Sequence, residues 1–181
     1  MRPLLFLTAA LHAAGYVAVQ AAVVNFPDST CVLHKDEIEK EMQFAMDMAT
    51  TAAADLKRDS YFIDFFSSSL RNKEGFVGVI RDIYLRIAEI ASGDGTKYKM
   101  EVTCNFDTPR CQIGRASAFT SDVDRRLNLC ERFFTSPAMK STQQRLDECP
   151  NLGLKEARLT RAFVLLHELT HTKYGMLDTK K

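Results

Sequence analysis

The feature that most restricts how this chain can fold lies near its C-terminal end. It is the run His167-Glu168-Leu169-Thr170-His171, led in by Phe163, Val164, Leu165 and Leu166. The apolar pattern predicts a helix over residues 154–174, opened near Asn151 and stopped at Gly175. Such a helix must bury one face and still present two imidazoles on another. Four residues along a helix rise about 6 Å and complete slightly more than one turn, so both rings project from the same side. There they can share one Zn2+ through ring nitrogens at roughly 2.0–2.1 Å. Glu168 sits one step round, badly placed to join that coordination but within reach of a water held by the metal. Zinc lowers the pKa of such a water to about 7, and a carboxylate can then take its proton as the water attacks a carbonyl. With four histidines in the whole chain, this pattern arises by chance with a probability on the order of one in two hundred. The plainer alternative is a buried helix with two hydrogen-bonded histidines and a surface glutamate.

A catalytic zinc needs three protein ligands and one open position. Ten residues follow His171, and among them Asp178 is the sole ligand candidate; a turn at Gly175 would fold it back towards the histidines. Upstream candidates are His34, Asp107 and Asp147, with His34 read mainly as a residue near the start of the first helix.

The N-terminus reads as a secretory signal. Arg2 supplies the positive start, residues 4–18 are uncharged and almost wholly apolar or small, and Val19-Gln20-Ala21 supplies a cleavage site. The expected division is a signal peptide over residues 1–21 and one domain over residues 22–181. The apolar run falls short of the roughly 20 residues that span a bilayer, so no membrane association is expected after cleavage. Loss of Arg2 leaves basic and acidic residues equal at 23 each. That balance argues against nucleic-acid binding, which needs a basic surplus. All five cysteines, Cys31, Cys104, Cys111, Cys130 and Cys149, lie in the exported part and should mostly be oxidised there. An odd number leaves one over in a monomer.

Residues 36–57 read as a helix on Ile38, Met42, Ala45, Ala49, Ala52 and Leu56, and residues 74–91 as a second on Phe76, Ile80, Ile83, Ile87 and Ile90. Between them lies an aromatic cluster, Tyr61, Phe62, Phe65 and Phe66, followed by three serines. Ser92-Gly93-Asp94-Gly95-Thr96 is a turn without the flanking residues of a phosphate loop. Strands are expected over residues 97–104, 113–119 and 126–134, a turn over 105–111 and a polar link over 141–151.

Beyond these readings, His167-Glu168-Leu169-Thr170-His171 followed by Gly175-Met176-Leu177-Asp178 resembles the aspzincin zinc endopeptidases, the group of the deuterolysins and the fungal lysine-specific metalloendopeptidases. Their signature is H-E-x-x-H followed by G-T-x-D-x-x-Y-G, with the aspartate as third zinc ligand. Gly175 and Asp178 match; Met176 stands in place of the threonine, and Lys181 falls where the family has a tyrosine that helps stabilise the developing oxyanion. The cysteines follow the family's order: Cys104 and Cys111 with six residues between, Cys130 before Phe133-Phe134, and Cys149 ahead of the histidine helix. The resemblance spans most of the mature chain and is tight over residues 163–178.

It implies an α+β fold, mostly helical and zincin-like, with a small antiparallel sheet and a zinc-binding helix near the C-terminus. It also implies pairing of Cys31 with Cys104 and of Cys111 with Cys130, Cys149 left over, and a domain incomplete at its C-terminal end. The expected function is that of a secreted, monomeric zinc metalloendopeptidase acting on protein or peptide substrates. His167, His171 and Asp178 would hold Zn2+, and Glu168 would be the general base. The strand over residues 126–134 would wall the substrate cleft as a sheet edge. The rival expectation is a secreted protease-like binding protein without catalysis.

Overall fold

The computed structural model describes residues 29–56, 75–92, 100–113, 116–121, 126–148 and 160–172. The expected signal peptide, the aromatic cluster with its serines, the glycine turn at 93–96, Cys149 and the Gly175–Asp178 stretch lie outside the described residues.

A 3-10 helix, Ser29–His34, runs into α1, Lys35–Asp55. Ile38, Met42, Ala45 and Ala49 are buried on one stripe, which Ala53 rather than Ala52 continues. The second long helix, α2, is Phe76–Ser92. It begins after Gly75, whose φ of +76° is a left-handed value that glycine adopts without a Cβ penalty. The Gly75 carbonyl accepts from the Val79 amide at 3.0 Å, starting the first turn. α1 and α2 pack along each other. Arg81 on α2 donates to the Ala53 and Leu56 carbonyls, each at 3.2 Å, and so satisfies the open C-terminal end of α1.

Three short strands follow: β1, Glu101–Thr103; β2, Ala118–Ser121; and β3, Arg126–Leu129. Their spatial order is β1-β3-β2, with β3 parallel to β1 and antiparallel to β2. The sheet is therefore mixed, not antiparallel as expected. The chain leaves β1, runs to β2 on the far side, and returns into the gap as β3, which then points the same way as β1. Val102, Leu127 and Leu129 face the core with Ile38, Met42, Ile87 and Phe133. On the other face of β3, Asn128 is buried by its own bonds. It accepts from Thr103 Oγ1 at 2.9 Å and the Asn105 amide at 3.0 Å, and donates to the Asn105 carbonyl at 3.1 Å.

Three short helices occupy stretches expected to be otherwise. α3, Pro109–Gln112, forms in the expected turn, with Pro109 in its first turn and Thr108 Oγ1 accepting from the Cys111 amide at 3.3 Å. α4, Glu131–Thr135, ends the strand expected to run to residue 134. Glu131 and Arg132 break the alternation, and the Phe133 amide turns back to the Cys130 carbonyl at 2.9 Å. α5, Thr142–Glu148, lies in the expected polar link. Its start is a capping box: Ser141 Oγ accepts from the Gln144 amide at 3.1 Å while Gln144 Oε1 accepts from the Ser141 amide at 3.0 Å. The result is an α+β fold, mostly helical with a small sheet.

Two disulfides cross-link it, Cys31–Cys104 and Cys111–Cys130, the pairing the family resemblance implied. No helix among the described residues is long and apolar enough to cross a membrane. The bridges close loops of very different length, 73 and 19 residues of separation. On the chain-entropy account, the longer loop should contribute about 1 kcal/mol more. Guanidinium unfolding of the paired alanine variants should therefore rank Cys31→Ala/Cys104→Ala below Cys111→Ala/Cys130→Ala in stability; the reverse order would contradict that account.

Candidate metal centre

The helix carrying the histidine motif, α6, is Arg161–Thr170. This is the inner part of the expected helix; residues 151–159 and 173–175, including its expected ends, lie outside the described residues. Thr160 caps it, its side chain accepting from the Phe163 amide at 3.2 Å. Ala162, Leu165 and Leu169 are buried at steps of three and four and pack α6 against α1, α2 and β2.

The start of α6 is fixed by charges in the core. Arg161 is 8% exposed. Its Nε donates to the Phe133 carbonyl at 2.8 Å, its Nη2 to the Phe134 carbonyl at 2.7 Å, and its Nη1 pairs with Glu37 on α1. One helical turn further along α1, Glu41 is 1% exposed. It accepts from the Thr142 amide at 2.9 Å, from Thr142 Oγ1 at 2.6 Å, and from the Ala162 amide. A single carboxyl thus serves the beginnings of both α5 and α6, where helices leave N–H groups open. Burial holds the Glu41 pKa above the ordinary 4.5, outweighing those donors and Lys40.

His34, an upstream ligand candidate, belongs to this anchor. Its ring stacks on Phe134 with centroids 4.0 Å apart, and its Nδ1 lies 3.5 Å from Glu37. It sits with Arg161, at the end of α6 away from the motif. Asp107 lies beside Asn105 and Gln112, and Asp147 accepts from Gln143 on its own helix at 2.8 Å. Neither joins the histidines: among the described residues, no group of three His, Cys, Asp or Glu is placed to hold a metal ion. Asp178 lies outside the described residues.

At the other end of α6 the two imidazoles converge. His167 Nε2 and His171 Nε2 are 3.2 Å apart, with the rings nearly perpendicular at 83°. Two nitrogens at 2.0–2.1 Å from a tetrahedral zinc stand about 3.3–3.4 Å from each other, close to the spacing of this pair. In a metal-free chain, one ring N–H shared with the other ring accounts for the same approach. Both histidines are exposed, as an ion arriving from solvent requires.

Glu168, between them in sequence, is half-buried. Burial raises its pKa above 4.5, with His167, His171 and Thr120 acting in the opposite sense. Thr120 comes from β2: its Oγ1 lies 2.9 Å from the Glu168 carbonyl oxygen and 3.4 Å from the carboxylate Oε2. The strand expected to wall the cleft is corrected here. β3 is the middle strand, and β2 is the outer one beside α6. Along β2, Thr120 faces α6, so Phe119 and Ser121 point the other way. There they line a shallow cleft of about 230 Å3 with Thr103, Asn105, Thr108, Arg126 and Asn128. Sequence reasoning passed over Thr120; Ala118-Phe119-Thr120-Ser121 carries no apolar–polar alternation that would have assigned it a face.

Compared with known proteins, the chain matches no protein-family model, and no curated protein matches it significantly.

The raised Glu41 pKa has a consequence for stability. A group whose pKa is raised by folding stabilises fully below its unfolded pKa, and that stability is lost as pH rises through the folded value. The unfolding free energy of the wild type, relative to Glu41→Gln, should therefore decline as pH is raised from about 4.5 towards neutrality. A relative stability that climbs over that interval would show that the carboxylate is the favoured form.

Proposed function

We propose that this chain is a secreted zinc metalloendopeptidase of the aspzincin type. One observation carries the reading: the two Nε2 atoms of the motif stand 3.2 Å apart on one exposed helix end, at the spacing two ligands of one zinc require. His167 and His171 would hold the ion, with Asp178 as third ligand. Zinc, when bound there, would supply Lewis acidity to a water and to the scissile carbonyl.

The protein's own groups do the rest. Glu168 takes the proton of the attacking water at its carboxylate and passes it to the leaving amine. Its half-buried carboxyl lies on the β2 side of the helix end that carries both histidines, where a carboxylate can serve as general base. β2 offers the peptide an edge to extend, since recognition by strand addition supplies main-chain hydrogen bonds that tolerate many sequences. The substrates this suits are extended segments of protein or peptide. Export is supported by the signal-like residues 1–21 together with the two disulfides.

The test is metal content and peptide cleavage on the purified mature chain. One equivalent of zinc is expected. His167→Ala, His171→Ala and Asp178→Asn should each weaken metal binding by more than the roughly 10–100-fold that a lost outer partner costs. Glu168→Gln should keep the metal and lose about 10²–10⁴ in kcat. A folded chain that takes up no zinc would overturn the reading in favour of a non-catalytic binding protein.

A further inference from the structure

The last turn of α6 tightens into 3-10 hydrogen bonding, as helix ends often do. In a continuing helix the Glu168 carbonyl would accept from the amide of Thr172, four residues on. Here the Thr172 amide goes instead to the Leu169 carbonyl at 3.3 Å, and the His171 amide to the Glu168 carbonyl at 3.0 Å. The chain tightens at the residue that carries the second imidazole. The Glu168 carbonyl takes its other hydrogen bond from outside the helix, from Thr120 Oγ1 at 2.9 Å, and the same hydroxyl lies 3.4 Å from the carboxylate. Thr120 is locked in its turn by the antiparallel register of β2 on β3, where it stands opposite Leu127, a residue fully buried in the core.

We propose that Thr120 is a positioning residue that ties Glu168 and the His171 turn to the edge strand, so that a peptide lying along β2 is held in register with the general base. The inference rests on the zinc-endopeptidase reading and deepens it: it selects substrates long enough to add a strand to β2. A short peptide at the histidines does not reach along β2. A longer one lies along β2 and, through one hydroxyl, is coupled to Glu168 beside the reacting water. Binding energy from residues remote from the scissile bond then appears in kcat and not merely in KM.

Two measurements test it on the full mature chain, comparing the wild type with Thr120→Val, which removes the hydroxyl at constant shape, and Thr120→Ser, which keeps it. The first needs no metal and no turnover. Amide hydrogen exchange at His171 in the metal-free protein should quicken at least about tenfold in Thr120→Val and return to the wild-type rate in Thr120→Ser. The second uses zinc-loaded enzyme and a series of unstructured peptides of increasing length. In the wild type kcat should rise with length. In Thr120→Val it should fall by about 10–100-fold, the cost of an outer-shell partner, and lose that dependence while KM still improves with length; Thr120→Ser should restore the wild-type pattern.

Unchanged exchange at His171 in Thr120→Val would overturn the proposal, as would kcat in Thr120→Val that still rises with peptide length. A serine variant that behaves like valine would also overturn it, because the hydroxyl would then not be the active feature. Failure of the wild type to bind zinc or cleave any peptide is a different result: it removes the zinc-endopeptidase reading and with it the role of Thr120 in substrate selection.

Discussion

Two glutamates one turn apart on α1 determine where the histidine helix lies. Glu37 pairs with Arg161, and Glu41 takes the amide of Ala162, the next residue along. Arg161 and Glu41 are almost fully buried, at 8% and 1% exposed, and ionisable groups at that depth are costly unless each has partners. Here Arg161 spends its remaining donors on the carbonyls that end α4, and Glu41 spends its remaining acceptor capacity on Thr142. The start of α6 is therefore held from three sides at once. Removing any one partner strands the others in the core, and such networks cost more to break than their net contribution to stability suggests.

The far end of the same helix is held by different partners. The buried stripe of Ala162, Leu165 and Leu169 runs up to the last turn, after which one threonine hydroxyl and one tightened backbone bond fix Glu168 and His171. That end is the tip of the helix among the described residues. Both imidazoles stand on the solvent side of that tip, and the half-buried Glu168 lies on the side of β2. The sheet is small, but it decides which strand meets the helix. Because β3 returns between β1 and β2, β2 becomes the edge beside α6.

What was legible in the sequence was what depends on local periodicity. The steps of three and four in α1 and α2 predict their buried faces, and the four-residue interval from His167 to His171 predicts converging rings without knowledge of any other element. Non-local features were harder to read. Nothing in residues 101–129 alone distinguishes a mixed sheet from an antiparallel one, because the order of strands is a choice about distant partners. A charged residue such as Arg161 reads as surface until the carbonyls of α4 are known to face it. α5 was readable and was missed: Ser141 and Gln144 form a capping box in a stretch whose polarity suggested a link. α4 was obscured by two adjacent phenylalanines that continue the hydrophobic character of β3 while abandoning its alternation.

X-ray absorption at the zinc edge of the metal-loaded mature chain tests the central claim most directly, since it reports the atoms around the ion without reference to activity. The account predicts two imidazole nitrogens and oxygen donors, all at roughly 2.0–2.2 Å, with the outer-shell scattering of two rings. A sulfur neighbour at about 2.3 Å, which Cys149 could supply, or a spectrum lacking imidazole scattering, would contradict it.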